Sequence, residues 1–553
     1  MEKRLIMAIV LSFLVLVGYQ LLFNKPKPAS EPAVSRVFEA PVGAEAKPTE
    51  PPAEPPAAQP AAETQAVAAA VTAGTEKTLR VETSLYNAAW TNRGAVLTSW
   101  KLHKHKARLL KSKDEPVEEL EMVNRLSVEL GRFPFSVQAE DKAVADVLNA
   151  ALFEVAEQGL SLGDGEKGEL RFAFSDGQGL RAEKTYKFTG GTYEVGLEIR
   201  AWKNGQEVPL RVLWGPGIGN PTPEEMKQSY GSSKGLAALS GGKVFRLDER
   251  KYKVESSALN FVDWAAYEEN YFAALFLLPA QKGTAAFLRE ERDQTPLFFV
   301  AASSPESAYI GPKEFDRLRT LGREAKKLIN FGFFGAIAEI LLVAMKFFHR
   351  FIPNWGVSII LLTIIIKILF FPLTYSSSKS MARMAELQPK VKALRAKYKK
   401  AKTDIAQRRQ MNEEMMRLYK EHGVNPAGGC LPLLVQLPVF WGVFRMLVVA
   451  VEFRHSPFVF WIKDLSVRDP LYITPILMGV TQYISQKITP SSADPTQARM
   501  MLLMPVIMTV FFMTFQSGLI LYWLTTNVLQ IGQQAFMNRM MSRKKSENHG
   551  RRK

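Results

Sequence analysis

The chain has 553 residues, 71 Lys/Arg against 54 Asp/Glu for a formal net charge of +17, and 47% hydrophobic residues. That length exceeds a single domain. The single Cys430 excludes an internal disulfide framework, and with six scattered histidines it offers no metal-ligand spacing.

In chain order, Glu2-Lys3-Arg4 precedes an apolar stretch, Leu5–Phe23, and Asn24-Lys25-Pro26-Lys27 stands where a small-residue cleavage site would lie. This predicts a retained transmembrane anchor over 1–24 rather than a removed signal peptide. Residues 25–77 are predicted as a linker. Ten prolines between Pro26 and Pro60, interleaved with Ala and Glu, favour extended conformations and cannot bury a core. From Leu79 to about Ala302 alternation takes over, as in Leu79-Arg80-Val81-Glu82. Thr185-Tyr186-Lys187-Phe188 repeats it and is closed by Gly190-Gly191 before Tyr193-Glu194-Val195. Many short strands with Gly-rich turns predict an all-β domain over 78–307, one large antiparallel sandwich.

The next apolar stretch, Ile329–Met345, contains Glu339. If it crossed a membrane, the following crossing would return residues 379–420, with thirteen Lys/Arg against four Asp/Glu, to the side of the β domain. That violates the positive-inside rule. Residues 308–354 are therefore predicted as an interfacial amphipathic segment, with Lys326, Lys327, Lys346 and Arg350 at its polar edges.

Ser358–Thr374 is the first crossing of the apolar half, and Lys367 is its only charge. A cation near the middle of a span costs at least about 2.5–3.5 kcal/mol to insert. Lys367 is predicted to face a polar cavity, with Thr363 four residues earlier on the same helix face. Beyond it, Met384, Leu387, Val391, Leu394 and Tyr398, then Met411, Met415 and Leu418, predict a cytoplasmic helical hairpin over 379–422, broken near Lys399–Lys402. Its exterior is basic, with Lys390, Lys392, Arg395 and Lys397.

Gly428–Val451 is predicted to cross outward and Pro470–Gln486 to return. Arg445, toward the outer end of its span, is expected to snorkel. Met500–Ala535 runs 36 residues without a charge, about 54 Å as a helix against roughly 30 Å of hydrocarbon. A turn at Gln516-Ser517-Gly518 divides it into two short spans and keeps the tail 538–553, with seven Lys/Arg against one Glu, in the cytoplasm. The basic excess thus flanks membrane spans, which excludes a DNA-binding domain. Gln436, then Gln482, Ser485 and Gln486, then Asn527, Gln530 and Gln534 place polar groups in these spans. Each of them can simply join two helices by hydrogen bonds; together with Lys367 they suggest a wetted groove.

Asn425-Pro426-Ala427-Gly428-Gly429-Cys430-Leu431-Pro432 and Gln436-Leu437-Pro438-Val439-Phe440 carry a resemblance. So do Leu387-Gln388-Pro389-Lys390, Asp469-Pro470, Pro475-Ile476-Leu477-Met478-Gly479 and Met504-Pro505-Val506. In combination the chain resembles the YidC–Oxa family of membrane protein insertases, densely over 355–535. The match continues upstream, through anchor, linker and extracytoplasmic domain, as in the bacterial branch. The resemblance implies an α-helical membrane protein of six transmembrane helices, five forming an insertase core over 355–537, plus a large periplasmic all-β supersandwich. It implies a multi-pass protein of the cell inner membrane of a two-membrane bacterium, with both termini cytoplasmic. Its expected role is inserting nascent integral membrane proteins, alone or with the Sec translocon, without a catalytic site or cofactor.

The expected substrate-binding groove residues are Lys367, Thr363, Gln436, Tyr522, Asn527 and Gln530, and the resemblance places Tyr522 at a position that contacts substrate. The hairpin and tail would receive clients and the ribosome, whose RNA is polyanionic, and membrane lipids complete the expected partners. The family usually has Arg where Lys367 stands, and Lys cannot bind a carboxylate bidentately. A small-solute transporter would also carry a midplane charge, but inverted repeats are not evident. A tethered sugar enzyme would need a paired-carboxylate or His constellation in 79–302, and none stands out.

Overall fold

The computed structural model describes residues 69–107, 118–220, 234–249, 251–280, 282–398, 404–424, 431–489 and 495–550. The anchor 1–24, the linker before 69, Lys399–Lys402 and the Asn425–Cys430 stretch lie outside the described residues.

Period-2 alternation builds the β domain as expected: Thr78–Thr83 buries Leu79 and Val81 and exposes Arg80 and Glu82. Three sheets form. The largest runs from edge strand Lys243–Asp248 through Gly235–Ser240, Val262–Glu268, Phe272–Leu277, Ser307–Pro312, Glu194–Lys203, Leu180–Thr189 and Lys167–Ser175 to Glu154–Val155. The hairpin expected around Gly190-Gly191 joins Leu180–Thr189 to Glu194–Lys203, with Val195 opposite Phe188 and Gly191 at φ 81°. The core between sheets is aromatic; Tyr86 stacks on Trp100 at 3.8 Å between centroids, and Trp90, Tyr186, Phe135 and Trp214 continue it.

Three expectations about this domain need correction. It is not wholly antiparallel: Thr78–Thr83 pairs in parallel with Gly159–Leu162, since helices Arg125–Leu130 (α1) and Lys142–Ala150 (α2) lie in the long crossover between them. The boundary placed at 307 falls on the first residue of a central strand, and the sheet extends to Pro312. At the other end, Val71 already exchanges two 2.9 Å backbone hydrogen bonds with Ser175, so the linker's last residues belong to the domain.

The predicted interfacial segment forms α3 (Phe315–Thr320), a 3₁₀ turn (Ala325–Leu328) and α4 (Gly335–Phe351). One face of α4 buries Ala338, Leu341, Leu342 and Met345, while Ile340, Val343, Phe347 and Phe351 form an exposed apolar stripe. There follow α5 (Trp355–Leu369), α6 (Phe371–Glu386), α7 (Gln388–Lys397), α8 (Ile405–Glu421), α9 (Leu431–Val449), α10 (Ile473–Ile488), α11 (Pro495–Phe512) and α12 (Ser517–Gly550). Each of the five expected core segments is thus helical, and the break before Ser517 stands where a turn was expected.

Ser358–Thr374 is not one straight span. It breaks at Phe370, and α5 and α6 meet at 59°. Pro372 in the first turn of α6 explains the site of the break, since it has no N–H to give the Ile368 carbonyl four residues earlier and its ring crowds that carbonyl. Among the described residues no single helix is long and apolar enough to cross a membrane; the α5–α6 pair passes only as a bent unit. A second break, at Leu387 before Pro389, separates α6 from the hairpin α7–α8. Asp404 caps α8 by accepting from the Ala406 and Gln407 amides at 2.8 and 3.4 Å.

The β domain and the helices share a junction. Arg454, after α9, donates to the Lys106 carbonyl at 2.9 Å and lies over the Phe272 ring. Asn270 donates to the Val448 carbonyl at 2.9 Å, and Lys346 of α4 sits 2.8 Å from both Asp316 and Glu452. Burial and then Arg454 push His105 down to about 4 and His455 to about 3, so both stay neutral beside that arginine. These contacts put the loop after α9 on the same side of the helices as the β domain.

Candidate functional site

Lys367 lies in the last turn of α5, immediately before the break. A cation there is favoured by the negative end of the helix dipole. Its Nζ donates to Gln530 Oε1 on α12 at 2.9 Å. The amide oxygen must be the partner, because an ammonium can only donate. Trp355 and Ser517 begin α5 and α12 beside the loop at 458–467: Asn354 donates to Phe458, Ser517 to Val467. Twelve and thirteen residues on, Lys367 and Gln530 both lie about 18–20 Å deeper. The pair therefore lies at the end of α5 away from the β domain.

Nothing near Lys367 in these helices neutralises it. Among the described residues of α5, α9, α10 and α11, and of α12 before Glu547, there is no Asp or Glu. Around it Ile365, Ile368 and Leu369 are exposed, so the site opens sideways onto apolar surface. On the side of the β domain it is closed by packed rings: Trp523 lies 5.0 Å from Phe440 and 4.8 Å from Phe512, and its indole donates to Gln482 at 3.2 Å.

The other predicted residues separate into groups. Thr363 is buried and turns its hydroxyl back onto the Ile359 carbonyl at 2.6 Å, so it supports the helix instead of facing Lys367's partner. Tyr522 is 2% exposed, and the polar groups facing its hydroxyl are Gln436 and Thr526. Asn527 donates to Met478 at 3.1 Å and so joins α12 to α10. The face expected to hold Asn527, Gln530 and Gln534 together thus widens into a sector. Asn527 serves α10, Gln530 serves α5, and buried Gln534 accepts from Ser378 of α6 at 3.4 Å. In the hairpin Lys390, Lys392, Arg395 and Lys397 are all exposed; Lys390 meets His422 at 2.9 Å and Lys397 meets Glu414 at 2.9 Å.

The family model described as the 60Kd inner membrane protein matches residues 347–545, and that of the YidC periplasmic domain matches 78–344. The membrane protein insertase YidC of Citrifermentans bemidjiense is 37% identical over 98% of this chain and 100% of its own length. The chain belongs to the YidC family of membrane protein insertases. The YidC insertase of Syntrophus aciditrophicus is 36% identical over 98% of this chain and 100% of its own. A solved structure of an active YidC insertase, with its first transmembrane domain resolved, aligns at a TM-score of 0.35 and 19% identity, covering 84% of this chain and 94% of that one.

YidC relatives are inner membrane proteins by the matched description, which suits the exposed apolar stripe of α4 and the apolar rim around Lys367. Two polar contacts of this YidC-family site were missed from sequence: Gln533 with Thr374, and Ser378 with Gln534. Adjacent glutamines in an uncharged run were the available signal, but choosing Gln534 alone assumed one narrow face.

Arg445 is half-buried beside Gly332 and donates to the Asn330 carbonyl, in the segment that leads into α4.

Proposed function

We propose that this insertase passes clients through the polar site around Lys367, without a catalytic centre or cofactor. The carrying observation is a cation on a bent, membrane-depth helix that donates to the neutral amide of Gln530. An acidic or polar client segment drawn to it does not need to cross the full hydrocarbon thickness unaided, since the charge and its water replace part of the lost hydration. The client's apolar segment then leaves over the exposed Ile365, Ile368 and Leu369 rim into lipid. Half-buried Gln436, backed by buried Tyr522, forms the wall above, and the aromatic layer of Phe440, Phe512 and Trp523 holds ions back on the outer side.

In this reading the chain makes six crossings with both termini in the cytoplasm and the β domain in the periplasm of a two-membrane bacterium. The positive-inside pattern supports it, as does the shared side of the β domain and the loop after α9. The basic hairpin and tail receive clients and the ribosome, and the Sec translocon works beside the core for larger clients. Depleting the protein tests the function: small membrane proteins with short translocated tails should lose insertion. Normal insertion of those clients in depleted cells would overturn the assignment.

A further inference from the structure

The break between α5 and α6 is held from both sides by one helix. Before it, Lys367 donates to Gln530; after it, the Gln533 amide donates to the Thr374 hydroxyl. The Thr374 hydroxyl in turn lies 3.0 Å from the carbonyls of both Phe370, the residue at the bend, and Phe371, the next one, and its proton is shared between them. Gln530 and Gln533 are three apart on α12, so both reach the same neighbour. A hydroxyl that bonds back to the carbonyl four residues earlier bends a helix, and a hydrogen bond received from an amide polarises it further. Thr374 is buried, so this relay is shielded from competing water.

We infer that Gln533 and Thr374 are positioning residues for the Lys367 charge. By holding the Phe370 carbonyl, they set the angle at which α5 ends and hence where the ammonium lies against α12. The helix α6 beyond the bend is half-exposed along much of its length, so its contacts with α12, at Thr374 and one turn on at Ser378, bear directly on that angle. The relay touches no client. It rests on the reading of Lys367 as the client-attracting group and adds the device that aims it.

The test compares insertion of one client bearing either an acidic or a neutral translocated tail, in cells carrying the full-length protein at matched membrane levels. Thr374→Val, which keeps the shape and removes the hydroxyl, and Gln533→Ala should each lower the acidic-over-neutral ratio about threefold or more. Thr374→Ser should keep the wild-type ratio. In a Lys367→Ala background, adding Gln533→Ala should not change the ratio further. If Lys367→Ala abolishes the preference but Thr374→Val and Gln533→Ala leave it intact, or depress both clients equally, the positioning role is wrong. If Lys367→Ala itself retains the preference, the reading of Lys367 fails, whatever the relay variants do. Should Thr374→Val fail to accumulate, the Gln533→Ala ratio alone decides.

Discussion

Lys367 meets Gln530 across 2.9 Å, between the last turn of one helix and the middle of another, with no carboxylate among the described residues of α5, α9, α10 and α11, or of α12 before Glu547. A neutral amide satisfies one of the ammonium's three donors and leaves its charge available. That relationship separates a client-attracting lysine from a structural ion pair, in which the charge would already be spent.

Lys367→Arg should retain insertion, whereas Lys367→Ala and Lys367→Glu should lose it, most of all for clients with acidic tails. Opposite charges about 4 Å apart at an effective dielectric near 20 attract by about 4 kcal/mol. A quarter of that still gives a roughly fivefold preference. The measurement is insertion of one client with acidic, neutral and basic tails through each variant. Equal efficiency of Lys367→Ala and wild type on the acidic tail would show that the charge is not the working element.

Arg445 should behave differently. Arg445→Ala leaves the Asn330 carbonyl without its donor, and a hydrogen bond to a charged group contributes roughly 1.5–3 kcal/mol. The expected outcome is a lower unfolding temperature in detergent with the acidic-over-neutral ratio unchanged. A loss of selectivity without a loss of stability would contradict this.

A third prediction concerns Lys184 in the β domain, which alternation along Leu180–Thr189 turns into the core. Its Nζ donates to the Gly94 and Phe135 carbonyls at 2.6 and 3.1 Å, and burial lowers its pKa from 10.5 to about 7. Between those values the unfolded chain binds the proton and the folded chain does not, so this group's contribution to stability rises with pH across that window. Lys184→Met should flatten the rise, as read by denaturant midpoints from pH 7 to 10 with tryptophan fluorescence. An unchanged slope in the variant would rule Lys184 out as its source.

Deleting the β domain should leave insertion largely intact, provided the cut respects the sheet. Removing 79–313 takes every strand that pairs with Ser307–Pro312. Removing only 79–302 would strand that segment with its partners Phe272–Leu277 and Glu194–Lys203 gone, an exposed edge prone to aggregation. Membrane levels and client insertion of the two deletions make the comparison. Loss of insertion by a stable 79–313 deletion would show that the junction through Arg454 and Asn270 is needed for function.

Much of this protein was legible in the residues themselves, for reasons local to the chain. Alternation at Leu79–Glu82 is a property of neighbouring residues, and so is the charge excess of 379–420. Neither needs a partner to be recognised. Likewise an uncharged run too long for one span demands a break, and the structure places it just before Ser517. Lys367 stood out because a lone cation in an apolar run has an unfavourable transfer free energy wherever its partner lies.

The tertiary structure decided which partner each polar side chain meets. Asn527, Gln530 and Gln534 read alike in sequence, yet they serve α10, α5 and α6 in turn, because three helices press on one sector of α12. Arg445 meets the Asn330 carbonyl, 115 residues away, a partner that only packing brings within reach. The bend at Phe370 belongs to both levels. Pro372 permits it locally, while the relay from Gln533 through Thr374 holds it, and a hydrogen bond over 159 residues of chain exists only once the helices have packed.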